Sequence, residues 1–280
     1  MSVENLEYET LDVAVNGHIA TVTLNRPNKL NAMNGAMFRE IGEAFRQLDT
    51  VPAVRAIILN ANGKHFTAGL DLKESGSVLG GNDGDPARAR EKLRRHILFL
   101  QDCFTALEET RAPVIACVHG ACLGGGIDLI SAADMRICTE DAYFTIQEVN
   151  VGIVADVGTL QRMPHHLPQG ILRELSYTGR KFTSAEADKY GFVNRVLPTA
   201  EAALDTAKEM AQLIASKSPL AVSGTKAVLN HSRDHTVRDG LDYVATWNSG
   251  QLLGEDLMKA ASAALTRQEV EFADLLESDD

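Results

Sequence analysis

Apolar and polar residues alternate at the start of the chain, in DVAVNGHIATVTLN, and Asn16-Gly17 interrupts the alternation. A period of two on both sides of an Asn-Gly pair predicts a hairpin, one strand on each side of a tight turn. The period then lengthens. Met37, Ile41, Ala44, Phe45 and Leu48 recur at helical spacing, so residues 34–48 are expected to form a helix with one buried face. Residues 54–59, VRAIIL, read as a buried strand ending before Asn62-Gly63. The Gly-, Ser- and Asp-rich stretch from Ser75 to Pro86 reads as a loop. Residues 88–110 read as a long amphipathic helix, stopped by Pro113. Short apolar strands are then expected at 114–118, 135–138 and 143–146, with a glycine-led helix over about 126–133 between the first two.

Strands alternating with helices place residues 1–198 in the α/β class. After Pro198 the pattern is helical only, through EAALDTAKEMAQLIAS, PLAVSGTKAVLNHS, TVRDGLDYVATWNSGQLL and EDLMKAASAALTRQEVEFADLL. A boundary is therefore placed there, with residues 199–280 as a helical C-terminal region. Helices this apolar must cover a surface, either the protein's own core or a neighbouring subunit.

Composition narrows the classes of function. With 280 residues and 45% hydrophobic content the chain can bury a full core. The 38 acidic and 27 basic residues give a net charge of -11, which argues against non-specific nucleic-acid binding. An anionic small ligand remains compatible with local cations such as Lys73, Arg94 and Arg95, the last two equally readable as a solvated helix face. Cys103, Cys117, Cys122 and Cys138 show neither CxxC nor metal-site spacing and read as reduced core residues. The start MSVENLEYET carries no signal or transit pattern, no apolar run reaches membrane-spanning length, and LLESDD is not an SKL-type address. A cytoplasmic location and no membrane partner are the expectation.

Three groups of residues could carry chemistry. His119-Gly120-Ala121-Cys122-Leu123-Gly124-Gly125-Gly126-Ile127-Asp128 sets three glycines between a strand and a helix. Bare backbone N–H groups at a helix start suit a phosphate or an oxygen that becomes negative, and a tight strand-to-helix turn would use the same residues. His65-Phe66-Thr67-Ala68-Gly69-Leu70-Asp71-Leu72 follows another strand and offers a second set of donors, or is a plain loop. The third group is acidic: Asp128, Glu148 and Asp156. Asp156 lies among Val154, Ala155 and Val157, where it is either a helix cap or an acid whose proton is held for delivery. Serine-hydrolase, P-loop and dinucleotide fingerprints are missing, and His165-His166 lacks zinc spacing and reads as surface.

FTAGLDL, HGACLGGGIDLISAADMRIC, the Glu148 segment and GTLQR, in this order, resemble the enoyl-CoA hydratase/isomerase (crotonase) family. The resemblance runs from about residue 8 to 270 and includes LNRPNKLNAM and GRKFTSAEADKYGFVNRVLP. It implies a crotonase-like ββα superhelix core with a helical C-terminal oligomerisation region, a homotrimer or homohexamer. It further implies an acyl-CoA thioester substrate, no separate cofactor and no metal, since coenzyme A is part of the substrate. By match to the family pattern, the Leu70 and Gly125 N–H groups form an oxyanion hole, and Ala68, Gly69, Asp71 and Leu72 belong to the substrate-binding loop. Hydratases of the family carry Glu where this chain has Asp128 and glycine where it has Asp156. The set Asp128, Glu148 and Asp156 is similar instead to members that move a 3,5-diene into 2,4 conjugation. A hydratase, a 3-to-2 enoyl-CoA isomerase and a non-catalytic acyl-CoA-binding scaffold are the alternatives.

Overall fold

The computed structural model describes residues 7–74 and 85–276. The chain starts with the hairpin β1 (Leu11–Asn16) and β2 (Ile19–Leu24), paired antiparallel through a turn in which Gly17 takes φ 58°. Helix α1 (Gly35–Thr50) begins where the Asn34 side chain accepts the Met37 N–H at 3.0 Å. Its expected apolar face, Met37, Ile41, Ala44, Phe45 and Leu48, is buried. Strand β3 (Ala56–Ala61) follows. Pro86 opens α2 (Pro86–Glu109) behind the Asp85 cap. The expected loop thus stops short of Pro86, and its residues 75–84 lie outside the described ones.

Strand β4 (Val114–Val118) runs into β5 (Ala121–Leu123) and the short helix α3 (Gly125–Ser131). Then come β6 (Met135–Thr139), β7 (Tyr143–Thr145), a 3-10 turn at Glu148–Val151, and the single-turn helix α4 (Thr159–Arg162). Helix α5 (Gln169–Thr178), β8 (Phe182–Thr183), α6 (Ser184–Lys189) and β9 (Arg195–Leu197) complete the α/β part. Four helices remain: α7 (Ala200–Ala215), α8 (Pro219–Asp234), α9 (Val237–Gln251) and α10 (Glu255–Thr266).

Two sheets organise these strands. The larger has the order β1-β2-β3-β4-β6-β9, parallel after the first pair; the smaller has β5-β7-β8. The consecutive strands β4 and β5 therefore enter different sheets, and α3 starts where the chain leaves the second one. The main core lies against α1 and α2, with Phe38 and Phe104 stacked at 4.9 Å.

The other face of the larger sheet carries Ala56, Ile58, Ile115, Cys117 and Ile137 and is covered by Ala203, Ala207 and Ala211 of α7. Alanines one helical turn apart leave no side-chain thickness, so the helix seats close to the sheet. Burial on both faces explains the unbroken apolar runs of β3 and β4. The change to helices alone does occur after β9, yet the first helix beyond residue 198 is part of this core.

Among the described residues no helix is long and apolar enough to cross a membrane. All four cysteines are buried and unpaired. His165 is exposed, but His166 is not the surface residue expected. Its Nε2 lies 3.2 Å from the Ser131 carbonyl, and burial beside Arg136 lowers its pKa to about 4.

Candidate active site

The two glycine-containing loops meet backbone to backbone. Thr67 and Cys122 form a parallel bridge, with Thr67 N–H donating to the Ala121 carbonyl at 3.0 Å and Leu123 N–H to the Thr67 carbonyl at 3.2 Å. Gly69, at φ 84°, lies so close that a Cβ there would stand 2.8 Å from the Leu123 carbonyl oxygen. At Gly126 a Cβ would run into Thr67 Cγ2. Glycine is required at these positions because the facing loop of the same chain occupies the side-chain space.

The LNRPNKLNAM segment forms the outer wall. Leu30 and Asn31 both take left-handed backbone angles, φ 52° and 50°, a conformation that costs a non-glycine residue roughly 1 kcal/mol or more. Asn31 is held there from several sides. Its Oδ1 accepts the Arg26 N–H at 2.8 Å, and its Nδ2 donates to the carbonyls of Asn62 and His65 at 2.8 and 3.0 Å. In return Thr67 Oγ1 donates to the Asn31 carbonyl at 2.6 Å, Ala68 N–H to that of Leu30 at 2.9 Å, and Met33 bridges Leu70.

Among the backbone donors these contacts leave over, two lie on the facing loops. Neither the Leu70 N–H nor the Gly125 N–H donates to an acceptor among the described residues. Gly125 is the first residue of α3, where an N–H has no intrahelical partner. Two such donors on converging loops suit an oxygen that gains negative charge.

The other expected binding residues differ from one another in placement. Ala68 is half-buried and Gly69 buried, whereas Leu72 is exposed. Asp71 is turned inward. Its carboxylate accepts from Arg26 at 3.3 Å and from the Lys73 and Glu74 amides at 3.2 and 3.4 Å. Burial alone would raise its pKa, but those donors outweigh it and hold it below the usual carboxylate range.

The structure brings the three acids into one electrostatic cluster. Asp128, in the first turn of α3, is 1% exposed, and its Oδ1 accepts the Thr159 N–H at 2.6 Å. Burial raises it to about 6 against that hydrogen bond, with the Asp156 charge adding to the rise. Glu148 opens the 3-10 turn after β7. A Cβ at Gly124 would lie 3.0 Å from its Oε1, so the carboxyl leans on the residue before Gly125. Its Oε2 is buried without a hydrogen-bond partner. Burial, then the charges of Asp128 and Asp156, push Glu148 up to about 7.

Asp156 is half-buried, and burial raises its pKa too. The source of that burial differs from expectation in one respect. Ala155 and Val157 are buried, but Val154 is 71% exposed and shields nothing. In its place Gln101 reaches across from α2, Nε2 donating to the Asp156 carbonyl at 2.6 Å. Gln101, Thr105 and Glu108 lie on one face of α2 and grip the 156–162 segment, the latter two through Arg162. Sequence reasoning missed this polar stripe. Its signal was present as spacing on a helix that is otherwise amphipathic.

A protein-family model described as enoyl-CoA hydratase/isomerase matches residues 14–265. The chain is 44% identical over 273 residues to a peroxisomal delta(3,5)-delta(2,4)-dienoyl-CoA isomerase of Arabidopsis thaliana, covering 96% of this chain and 98% of that protein. It is 45% identical over 266 residues to the mitochondrial protein of the same name from Homo sapiens, covering 94% and 81% respectively. Among solved structures, an enoyl-CoA hydratase from Bacillus anthracis superposes with a TM-score of 0.86 at 28% identity, covering 94% of this chain and 99% of that one. The fold is thus the crotonase-like one expected. The cytoplasmic location is overturned, since these similar isomerases are named as peroxisomal and mitochondrial.

Proposed function

This chain belongs to the enoyl-CoA hydratase/isomerase family, and from that premise we propose that it converts a 3,5-dienoyl-CoA into the conjugated 2,4-dienoyl-CoA. The chain is a double-bond isomerase of that family, as its relatives' shared name implies. The observation that carries the detailed proposal is the pairing of Glu148 with Asp156. The two carboxyls are electrostatically coupled, Glu148 leans on Gly124 next to the open Gly125 N–H, and burial raises the pKa of both, that of Glu148 to about 7.

The thioester carbonyl oxygen accepts from Leu70 and Gly125. Glu148, next to Gly124, takes a proton from C2, and the electron pair left behind spreads through both double bonds to that oxygen. Stabilising the enolate is the main task of the two N–H groups, each contributing on the order of 3 kcal/mol. Asp156, protonated, then gives its proton to C6, and the C3 and C5 double bonds become C2 and C4 double bonds. No atom is gained or lost. Glu148 ends protonated and Asp156 ionised, so exchange with solvent or between the acids must reset them. Asp128, hydrogen-bonded to Thr159, supplies the nearby negative charge that helps keep the Glu148 pKa high.

Working as a homotrimer or homohexamer is part of the proposal. It is supported by the apolar side chains left exposed on α9 and α10, among them Val237, Leu241, Leu257 and Met258. Light scattering after gel filtration measures the assembly.

A spectrophotometric assay with 3,5-octadienoyl-CoA tests the activity. Growth of the conjugated dienoyl-thioester absorbance is the expected result. No growth, together with loss of crotonyl-CoA absorbance on incubation, would replace isomerisation by hydration.

A further inference from the structure

Arg162 is the cation nearest the acids that the mechanism leaves unused. It ends α4, and side chain and partner are both largely shielded from solvent: Nη2 and Glu108 Oε2 of α2 lie 2.9 Å apart, each side chain 12% exposed. The guanidinium spends its donors in three directions. Nε bonds Glu108 Oε2 at 2.9 Å, Nη2 bonds Thr105 Oγ1 at 3.0 Å, and Nη1 points back at the Val157 carbonyl at 3.4 Å. Glu108 is itself held from the other side by Arg233 of α8.

The turn beneath the guanidinium is built to admit it. Gly158 stands at φ 136°, and a Cβ there would collide with Arg162 Nη1. That turn joins Asp156 to Thr159, whose N–H holds Asp128. A group that fixes residues 157–159 therefore fixes the direction of the Asp156 carboxyl and the seat of the Asp128 carboxyl together. Gln101, bonded to the Asp156 carbonyl, pins the same segment one turn earlier on α2.

We propose that Arg162, anchored on Glu108 and Thr105 of α2, is a positioning residue that aims Asp156 at the far end of the bound acyl chain. It touches neither the substrate nor Glu148; it acts through the Asp156–Thr159 turn. The inference rests on the isomerase reading above. A displacement of about 1 Å at a proton-transfer group is enough to cost about 100-fold in rate.

The test separates the two ends of the reaction. Proton exchange at C2 in deuterated water needs Glu148 and the open N–H pair, whereas complete isomerisation also needs Asp156. In Arg162→Gln, kcat for 3,5-octadienoyl-CoA is expected to fall about 100-fold, with KM nearly unchanged and C2 exchange close to that of the wild type. Arg162→Lys, which keeps the charge and one donor, should recover part of the loss. Glu108→Gln and Thr105→Val, which loosen the anchor and leave Arg162 in place, should give smaller losses with the same split; they carry the test if Arg162→Gln does not fold. Exchange and isomerisation falling in parallel, or an unchanged kcat, would overturn the proposal. Failure of the wild type to isomerise the dienoyl thioester would instead sink the reading on which it rests.

Discussion

At the residue scale the acids form a shared-proton system. The productive form has Glu148 ionised and Asp156 protonated, which is one proton between two coupled carboxyls. With Glu148 at about 7, the pair loses that last proton as pH rises through about 7. For the free enzyme, kcat/KM should therefore decline above about pH 7, roughly tenfold per pH unit. A site working with Glu148 alone as base would do the reverse, rising to a plateau above that pH, so the sign of the profile separates the two chemistries. Substitutions divide the roles: Asp156→Asn should lower isomerisation by about 100-fold or more while C2 exchange persists. Glu148→Gln should abolish exchange as well, measured by loss of the C2 proton signal in deuterated water. The grouping of these acids was expected from the family resemblance, and the charges of Asp128 and Asp156 do act on Glu148. Why Asp156 is raised was less legible in the sequence. An exposed Val154 and a glutamine from α2 set its surroundings, and a local apolar window cannot reveal a partner 55 residues away.

At the element scale the decisive feature is the bridge between the 65–72 and 119–126 loops, which turns two glycine-containing turns into one rigid pair of donors. Gly126→Ala places a methyl against Thr67 Cγ2 and Cys122 Sγ. It should push the loops apart and lower kcat by about 100-fold, with thioester binding weakened less, as stopped-flow and steady-state kinetics would show. Hairpin, helices and buried strands follow from period and turn chemistry, as β1–β2 and α1 illustrate. The assignment of β5 to a different sheet from β4 does not, because two strands separated by His119-Gly120 look locally alike. Glycines at 69, 124 and 126 could be noticed in the sequence, but whether they admit a ligand or another segment of the chain is decided by residues far away.

At the scale of the whole molecule, buried cations tie the late helices to the early sheet. Lys226 of α8, 5% exposed, donates to the carbonyls of Leu107 and Ala112 at 3.1 and 3.2 Å and pairs with Asp134 at 2.9 Å. Arg55, just before β3, does the same for the carbonyls of Ala215 and Phe272. Lys226→Met keeps the bulk but takes the cation from Asp134 and the donor from two carbonyls, and should cost about 3 kcal/mol in urea unfolding. Neither tie was visible in the sequence, where both residues look like ordinary surface cations.

The loops that carry the proposed carbonyl donors are joined by main-chain contacts, while the acids ride on short segments: α3, the turn after β7, and the turn before α4. Exchanging the acids themselves leaves those main-chain contacts in place. One scaffold can thus generate the same thioester enolate and pass it to different proton or water chemistry, so new reactions here demand altered acids rather than a rebuilt pocket.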